Sequence, residues 1–90
     1  MTKQVKAVDN LLTQTLGDEL VILNLNDEKY YTLNGMGFQI WQLLTGGMTV
    51  NDAVEVLLAE YDVEEAVLRS DLDKFIQYLQ ERSLVEIRNA

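Results

Sequence analysis

The hydrophobic pattern changes its period at Asn34, and this change constrains the fold more than any other feature. Before Asn34, short runs of aliphatic and aromatic residues are separated by polar turns, a pattern typical of β-strands. After it, apolar residues recur at every third or fourth position, a pattern typical of amphipathic helices. Because the predicted strands all precede the predicted helices, the sequence indicates the α+β class, with a small antiparallel sheet packed on helices.

Three strands are predicted, at 11–16, 20–25 and 29–33. The register of the second hairpin follows from which residues must share a buried face. A three-residue turn at 26–28 would place Leu23 opposite Tyr31 and keep both on the core face. The other members of that face would be Val21, Leu25 and Leu33. Glu28 would then adopt the left-handed conformation that favours glycine, at a cost of about 1 kcal/mol.

Three helices are predicted, at about 36–44, 50–61 and 64–82, followed by an extended tail at 84–87. Thr49 is a candidate N-cap for the second helix, with Asp52 three residues later. The apolar stripe of the third helix consists of Leu68, Leu72, Phe75, Ile76 and Leu79. Three strands, three helices and helix-turn-helix-like spacing favour a winged-helix topology. We expect one domain over residues 1–90, folded from about residue 10 to residue 87.

Composition excludes several classes of function. Fifteen acidic and seven scattered basic residues give a net charge of -8, which disfavours nucleic acid and anionic membranes as partners. The chain has no cysteine or histidine, so thiol chemistry, the usual zinc ligands and the commonest general base are missing. Adjacent carboxylates, such as Asp18 and Glu19, fall in predicted turns or on exposed faces. We expect neither an enzyme, nor a metal or cofactor, and the lack of a signal or membrane segment favours the cytoplasm.

The two adjacent tyrosines of the third strand point in opposite directions, because side chains alternate along a strand. If Tyr31 joins the core, Tyr30 lies outside it. The last strand of a meander also has an open edge, which can pair with an added strand. An ordinary edge covered by a helix or by the N-terminus explains the pattern equally well.

The sequence resembles the PqqD-like family of small peptide chaperones, also called RiPP recognition elements. The residues that carry the resemblance are Leu23, Leu25, Lys29, Tyr30, Tyr31, Leu33, Asn34, Gly37, Ile40, Trp41, Leu43, Leu44, Gly46, Thr49, Val50, Asp71, Leu72, Phe75, Ile76, Leu79, Leu84 and Val85. The strand with two tyrosines is more similar to the stand-alone leader-binding proteins of lasso-peptide operons than to the member that names the family. Glu28 and Ser83 depart from the family pattern, which often has glycine at both positions.

The resemblance implies a function without catalysis. A precursor's leader peptide would add as a strand to the third strand, lie against the third helix, and reach a leader peptidase and a macrolactam synthetase. The implied leader-binding residues are Tyr30, Tyr31, Thr32, Leu33, Val67, Asp71, Lys74, Phe75 and Tyr78. The opposite flank of the helix, with Arg69, Asp73 and Ile76, is the alternative wall of the groove, and the sequence leaves the choice between the two flanks open. The alternatives are a winged-helix DNA-binding regulator, which needs a basic third helix, and an acidic protein-protein adaptor.

Overall fold

The computed structural model describes residues 3–89, which form five strands and three helices. The elements are β1 (Lys3–Ala7), β2 (Leu11–Leu16), β3 (Glu19–Asn24), β4 (Tyr30–Asn34), α1 (Gly35–Thr45), α2 (Val50–Glu60), α3 (Glu65–Glu81) and β5 (Val85–Asn89). The strands β2, β3 and β4 form an antiparallel meander in that order. This sheet followed by three helices confirms the predicted α+β, winged-helix-like class.

A second antiparallel sheet joins the two ends of the described chain. Strand β1 pairs with β5, from Lys3 opposite Asn89 to Ala7 opposite Val85. Val5 and Val85 are buried in the common core. The predicted tail is therefore part of a sheet, and the folded part begins well before residue 10. Strand β1 was not predicted because its short polar sequence gives no local signal and its partner is about 80 residues away.

The predicted register of the β3–β4 hairpin is wrong by one residue. Leu23 lies opposite Tyr30, and Ile22 lies opposite Tyr31. The turn has four residues, 25–28, and is closed by a bond from the backbone N–H of Asn24 to the carbonyl of Lys29, 2.8 Å long. The left-handed conformation predicted for Glu28 is confirmed, with φ of 61°.

The shifted register exchanges the two faces of β3. Leu20 and Ile22 are buried, whereas Val21 and Leu23 lie on the outer face of the sheet and Leu25 is 50% exposed. Sequence reasoning could not separate the faces, because 20–23 is an unbroken apolar run without alternation. Tyr31 does face the core, as predicted from the strand alternation.

Asn24 explains the choice of face. Its side chain is only 2% exposed, yet its Oδ1 accepts hydrogen bonds from Asn10 Nδ2 at 2.8 Å and from the backbone N–H of Asn26 at 2.9 Å. A buried amide is tolerated when its polar atoms are paired. Asn10 also accepts a bond from Leu25 through its backbone carbonyl, which fastens the β1–β2 connection to the turn.

The three helices begin and end close to the predicted positions. The Thr49 side chain accepts a hydrogen bond from the Asp52 backbone N–H at 3.1 Å, which confirms the predicted cap of α2. The buried apolar residues of the helices are Ile40, Trp41, Leu44, Val50, Ala53, Val54, Leu57, Leu68, Leu72, Ile76 and Leu79. None of the helices within residues 3–89 is long and apolar enough to cross a membrane.

We predict that Asn24→Ala lowers the free energy of unfolding by roughly 2 kcal/mol. The substitution leaves the Asn10 amide and the Asn26 N–H without their acceptor in a partly buried position. Urea denaturation measures the change. Asn26→Ala is the matched control, because Asn26 takes part in this contact through its backbone, which alanine retains; its unfolding free energy should change by less than about 0.5 kcal/mol. Equal losses in both variants would contradict the assigned role of Asn24.

Candidate functional site

Strand β4 is the outermost strand of its sheet and has an open edge within the described chain. Along an antiparallel pair of strands, residues that bond to the neighbouring strand alternate with residues that face away from it. The bond between Asn24 and Lys29 therefore fixes which residues of β4 bond to β3. Tyr31 directs its backbone groups toward β3. Tyr30 and Thr32 therefore direct their N–H and C=O groups to the open side, where they can pair with an added strand.

The four side chains predicted on this strand divide between the two faces. Tyr30, at 71% exposure, and Thr32 are accessible on the outer face. Leu33 is buried and Tyr31 is half-buried on the core face. An incoming strand can meet the side chains of Tyr30 and Thr32, whereas Leu33 supports the strand from the core.

The outer face of the sheet is more apolar than the sequence analysis predicted. Leu12, Val21, Leu23 and Tyr30 line a shallow, open depression there. Sequence reasoning missed this surface because it assigned Val21 and Leu23 to the core. The exposed apolar face begins at the open edge of β4 and continues across the sheet.

Helix α3 presents an aromatic pair close to the end of β4. Phe75 packs against Gly37 at the start of α1, where a side-chain Cβ would lie 3.5 Å from the phenyl Cζ. Gly37 follows β4 by only three residues, so this contact brings α3 next to the β4–α1 junction. The rings of Phe75 and Tyr78 are nearly parallel, at 9°, with centroids 6.3 Å apart. Tyr78 is 38% exposed, whereas Phe75 is half-buried.

The remaining residues predicted on this flank of α3 are exposed. Val67, Asp71 and Lys74 recur at helical spacing with Tyr78, which places them along one side of the helix. The structure thus brings Phe75 to the β4–α1 junction, directly beside Tyr78. Val67 lies about three helical turns before Tyr78 and extends the flank toward the start of α3.

The opposite flank of α3 is occupied by contacts within the domain. Arg69 forms an ion pair with Glu65 at 2.9 Å and donates a hydrogen bond to Asn51 of α2 at 3.0 Å. Ile76 is buried, and Asp73 is exposed. This flank therefore faces α2, which leaves the Val67–Tyr78 side as the accessible one.

Sequence reasoning missed Arg82, which extends the aromatic pair. Its guanidinium carbon lies 3.7 Å from the centroid of the Tyr78 ring, and its Nη1 donates to the Tyr78 carbonyl at 3.2 Å. A cation over an aromatic face is favourable because the ring has a negative quadrupole. The spacing of four residues between Tyr78 and Arg82 is the sequence signal that could have revealed the contact.

The carboxylates considered for catalysis are dispersed over the surface. The exposed acidic residues of these pairs are Asp18, Glu19, Asp27, Glu28, Glu64, Glu65, Asp71 and Asp73. Helix α3 itself carries four acidic residues and two basic ones between Glu65 and Glu81. A helix with this balance is poorly suited to enter a DNA groove, since phosphate contacts require clustered lysine or arginine.

These features define a small winged-helix-like domain with an open strand edge beside an aromatic helix. Residues 19–85 match the family model described as "Coenzyme PQQ synthesis protein D (PqqD)". The chain therefore belongs to the PqqD family. The comparison with curated proteins gives no match.

Two solved structures have the same fold. The structure titled "TbiB1 in Complex with the TbiA(beta) Leader Peptide" is 32% identical with a TM-score of 0.86, over 90% of this chain and 94% of that one. The structure titled "Lasso peptide synthetase B1 complexed with the leader peptide" is 22% identical with a TM-score of 0.86, over 92% of this chain and 98% of that one. At the lower identity the likeness concerns the fold alone.

We predict that Phe75→Ala lowers the free energy of unfolding by about 2 kcal/mol, below the 3–5 kcal/mol typical of a fully buried phenylalanine. The substitution removes the contact of the ring with Gly37. Because the ring is only half-buried, less apolar surface is lost from the core than for a fully buried phenylalanine. Tyr78→Ala should change the unfolding free energy by no more than about 1 kcal/mol, because that ring is more exposed. Urea denaturation of both variants tests the ranking, and a larger loss for Tyr78→Ala would reverse it.

Proposed function

We propose that this protein binds the leader peptide of a ribosomally made precursor and delivers the precursor to the enzymes of lasso-peptide biosynthesis, without catalysing a reaction itself. The observation that carries the proposal is the open edge of β4 next to the aromatic flank of α3. The PqqD family membership and the solved leader-peptide complex at 32% identity support it.

The leader is proposed to add as a fourth strand to the β2–β3–β4 sheet. Its backbone pairs with the outward groups of Tyr30 and Thr32, and its side chains alternate between the two faces. Side chains on the outer face lie beside Tyr30 and extend the apolar depression there. Side chains on the other face point toward the helices, where Phe75 and Tyr78 provide an aromatic wall.

In this mode of binding, affinity and selectivity come from different parts of the site. Backbone pairing fits any extended peptide, so it contributes affinity with little sequence discrimination. The wall formed by Phe75 and Tyr78 accepts only side chains of suitable size and polarity, and Val67, Asp71 and Lys74 continue it along α3. We infer that the leader's sequence is read mainly on the helix side.

The proposed processing partners are a leader peptidase and a macrolactam synthetase in the cytoplasm. Tethering the leader leaves the following core peptide free, because an added strand occupies only the sheet edge. The tethered precursor then meets each enzyme at a raised local concentration. The chain contributes binding and positioning to this sequence of steps.

We predict that Thr32→Pro weakens the binding of a synthetic leader peptide, taken from a candidate precursor gene near this protein's gene, by more than about tenfold. Proline removes a backbone donor that faces the open side, so the β3–β4 ladder keeps its bonds while strand addition loses one. Fluorescence anisotropy measures affinity, and circular dichroism confirms that the variant remains folded.

Thr13→Pro is the matched control on the other edge of the sheet. The Leu25–Asn10 bond sets the β2–β3 ladder so that Thr13 also directs its N–H to an open side. The affinity of the Thr13→Pro variant for the leader should equal that of the unaltered protein. Retained binding by Thr32→Pro, or loss confined to Thr13→Pro, would contradict docking at β4.

We predict that Tyr78→Ala and Asp71→Ala each weaken leader binding by roughly threefold to tenfold, with thermal stability nearly unchanged. Both residues are exposed on the accessible flank, so their loss removes peptide contacts rather than core packing. The control is Asp73→Ala, which removes another exposed carboxylate, on the other flank, and should bind normally. Unchanged affinity in both Tyr78→Ala and Asp71→Ala would show that the leader uses another flank.

A further inference from the structure

A line of cationic and aromatic side chains runs along the C-terminal half of α3. Lys74, Tyr78 and Arg82 follow one another at intervals of four residues, which places them on one side of the helix. Arg82 is the member of this line whose side chain makes defined contacts. Its guanidinium lies against the Tyr78 ring and donates one hydrogen bond to the Tyr78 carbonyl.

The charges of this line are not neutralised within residues 3–89. The ion pairs there are Arg69 with Glu65 and Arg88 with Glu86, so neither Lys74 nor Arg82 has a carboxylate partner. The chain nevertheless carries fifteen acidic residues and a net charge of -8. Lys3, Lys6 and Lys29 also lack an ion-pair partner among the described residues, but Lys74 and Arg82 lie beside the aromatic wall.

We propose that Arg82 is a specificity residue that binds an acidic side chain of the leader peptide. The proposal rests on the leader-binding function proposed above and adds the chemistry of one recognised residue. Stacking on Tyr78 fixes the guanidinium plane before the peptide arrives, so less side-chain entropy is lost on binding. Because only Nη1 is engaged, the remaining N–H groups can meet a carboxylate in the strong, charge-assisted geometry.

The stack of Arg82 on Tyr78 also predicts the arrangement of residues in the leader. The guanidinium carbon lies 3.7 Å from the Tyr78 ring centroid, so the leader side chain on the wall and the one at Arg82 must be neighbours on the same face of the leader strand. Two residues of an extended strand span about 6.7 Å and point to the same face. A leader strand that runs along α3 thus carries an apolar side chain for the wall of Phe75 and Tyr78. Two residues away, on either side, it carries an aspartate or glutamate for Arg82.

Lys74 has a different part in this proposal. It lies one helical turn before Tyr78, and its exposed side chain has no contact that fixes it. A mobile ammonium attracts a carboxylate at a distance but selects geometry poorly. Lys74 therefore steers an acidic peptide toward the flank, against the negative charge of the rest of the protein, and Arg82 makes the contact.

A double-mutant cycle tests the pair directly. Fluorescence anisotropy measures the binding of the same synthetic leader peptide to the unaltered protein and to Arg82→Gln. The same measurements use leaders in which each aspartate or glutamate is replaced singly by its amide. We expect Arg82→Gln to weaken binding roughly fivefold, near the upper value for a partly exposed ion pair. One amide leader should lose a similar factor and show no further loss with Arg82→Gln.

Salt dependence alone is not decisive, because salt screens both the proposed attraction and the repulsion between an acidic peptide and an acidic protein. The cycle isolates the pair, since terms common to all four combinations cancel. Arg69→Gln is the matched control. Arg69 lies on the flank that faces α2, so its replacement should leave leader affinity unchanged.

The outcomes separate this inference from the proposed function. Arg82 does not bind a leader carboxylate if the leader binds the unaltered protein but every cycle is additive. The same holds if a leader that binds has no acidic residue. In both cases the proposed leader-binding function is retained. If the leader does not bind the unaltered protein at all, the proposed function itself is wrong. If Arg82→Gln lowers the melting temperature and every cycle is additive, the role of Arg82 is to stabilise the end of the helix, and it does not bind a leader carboxylate.

Discussion

The buried amide of Asn24 is the interaction on which the arrangement of the sheet depends. Its Oδ1 holds Asn10 and the backbone of the following turn at once, so Asn24 must point inward. Alternation then sends Ile22 inward and Leu23 outward along β3. The same residue closes the four-residue turn through its backbone N–H, and this bond fixes which groups of β4 face the open side. One polar contact thus sets both the core face and the backbone groups that β4 presents at its open edge.

The core keeps α3 in position so that one flank can remain exposed. Leu72, Ile76 and Leu79 are fully buried, and the contact of Phe75 with Gly37 ties the helix to the junction between β4 and α1. In the proposed mode of binding, the peptide therefore meets two elements whose separation is already fixed. A site on rigid elements loses little conformational entropy on binding, which leaves more of the contact energy for affinity.

The sequence was sufficient to predict the elements that depend on local chemistry. The helices follow from apolar periodicity, the α2 cap from the Thr49 hydroxyl, and the left-handed turn residue from the shortness of the hairpin. The errors arose where distant contacts decide. The face of β3 depends on the pairing of Asn24 with Asn10, fourteen residues earlier, and β1 depends on a strand at the other end of the chain. Arg82 was missed for a different reason, because its contact with Tyr78 depends on a side-chain conformation that a spacing of four residues permits but does not dictate.

The sheet has two open edges among the described residues, and the surroundings of those edges favour β4 as the docking edge. From Leu12 to Leu16 the residues of β2 are exposed, so a strand added there would gain backbone bonds but little side-chain enclosure. Strand β4 has the same free backbone groups and, at its end, the aromatic flank of α3. Backbone pairing alone would accept any extended chain, including a second copy of this protein. An edge with an adjacent wall can select one peptide sequence among many, which backbone pairing alone cannot do.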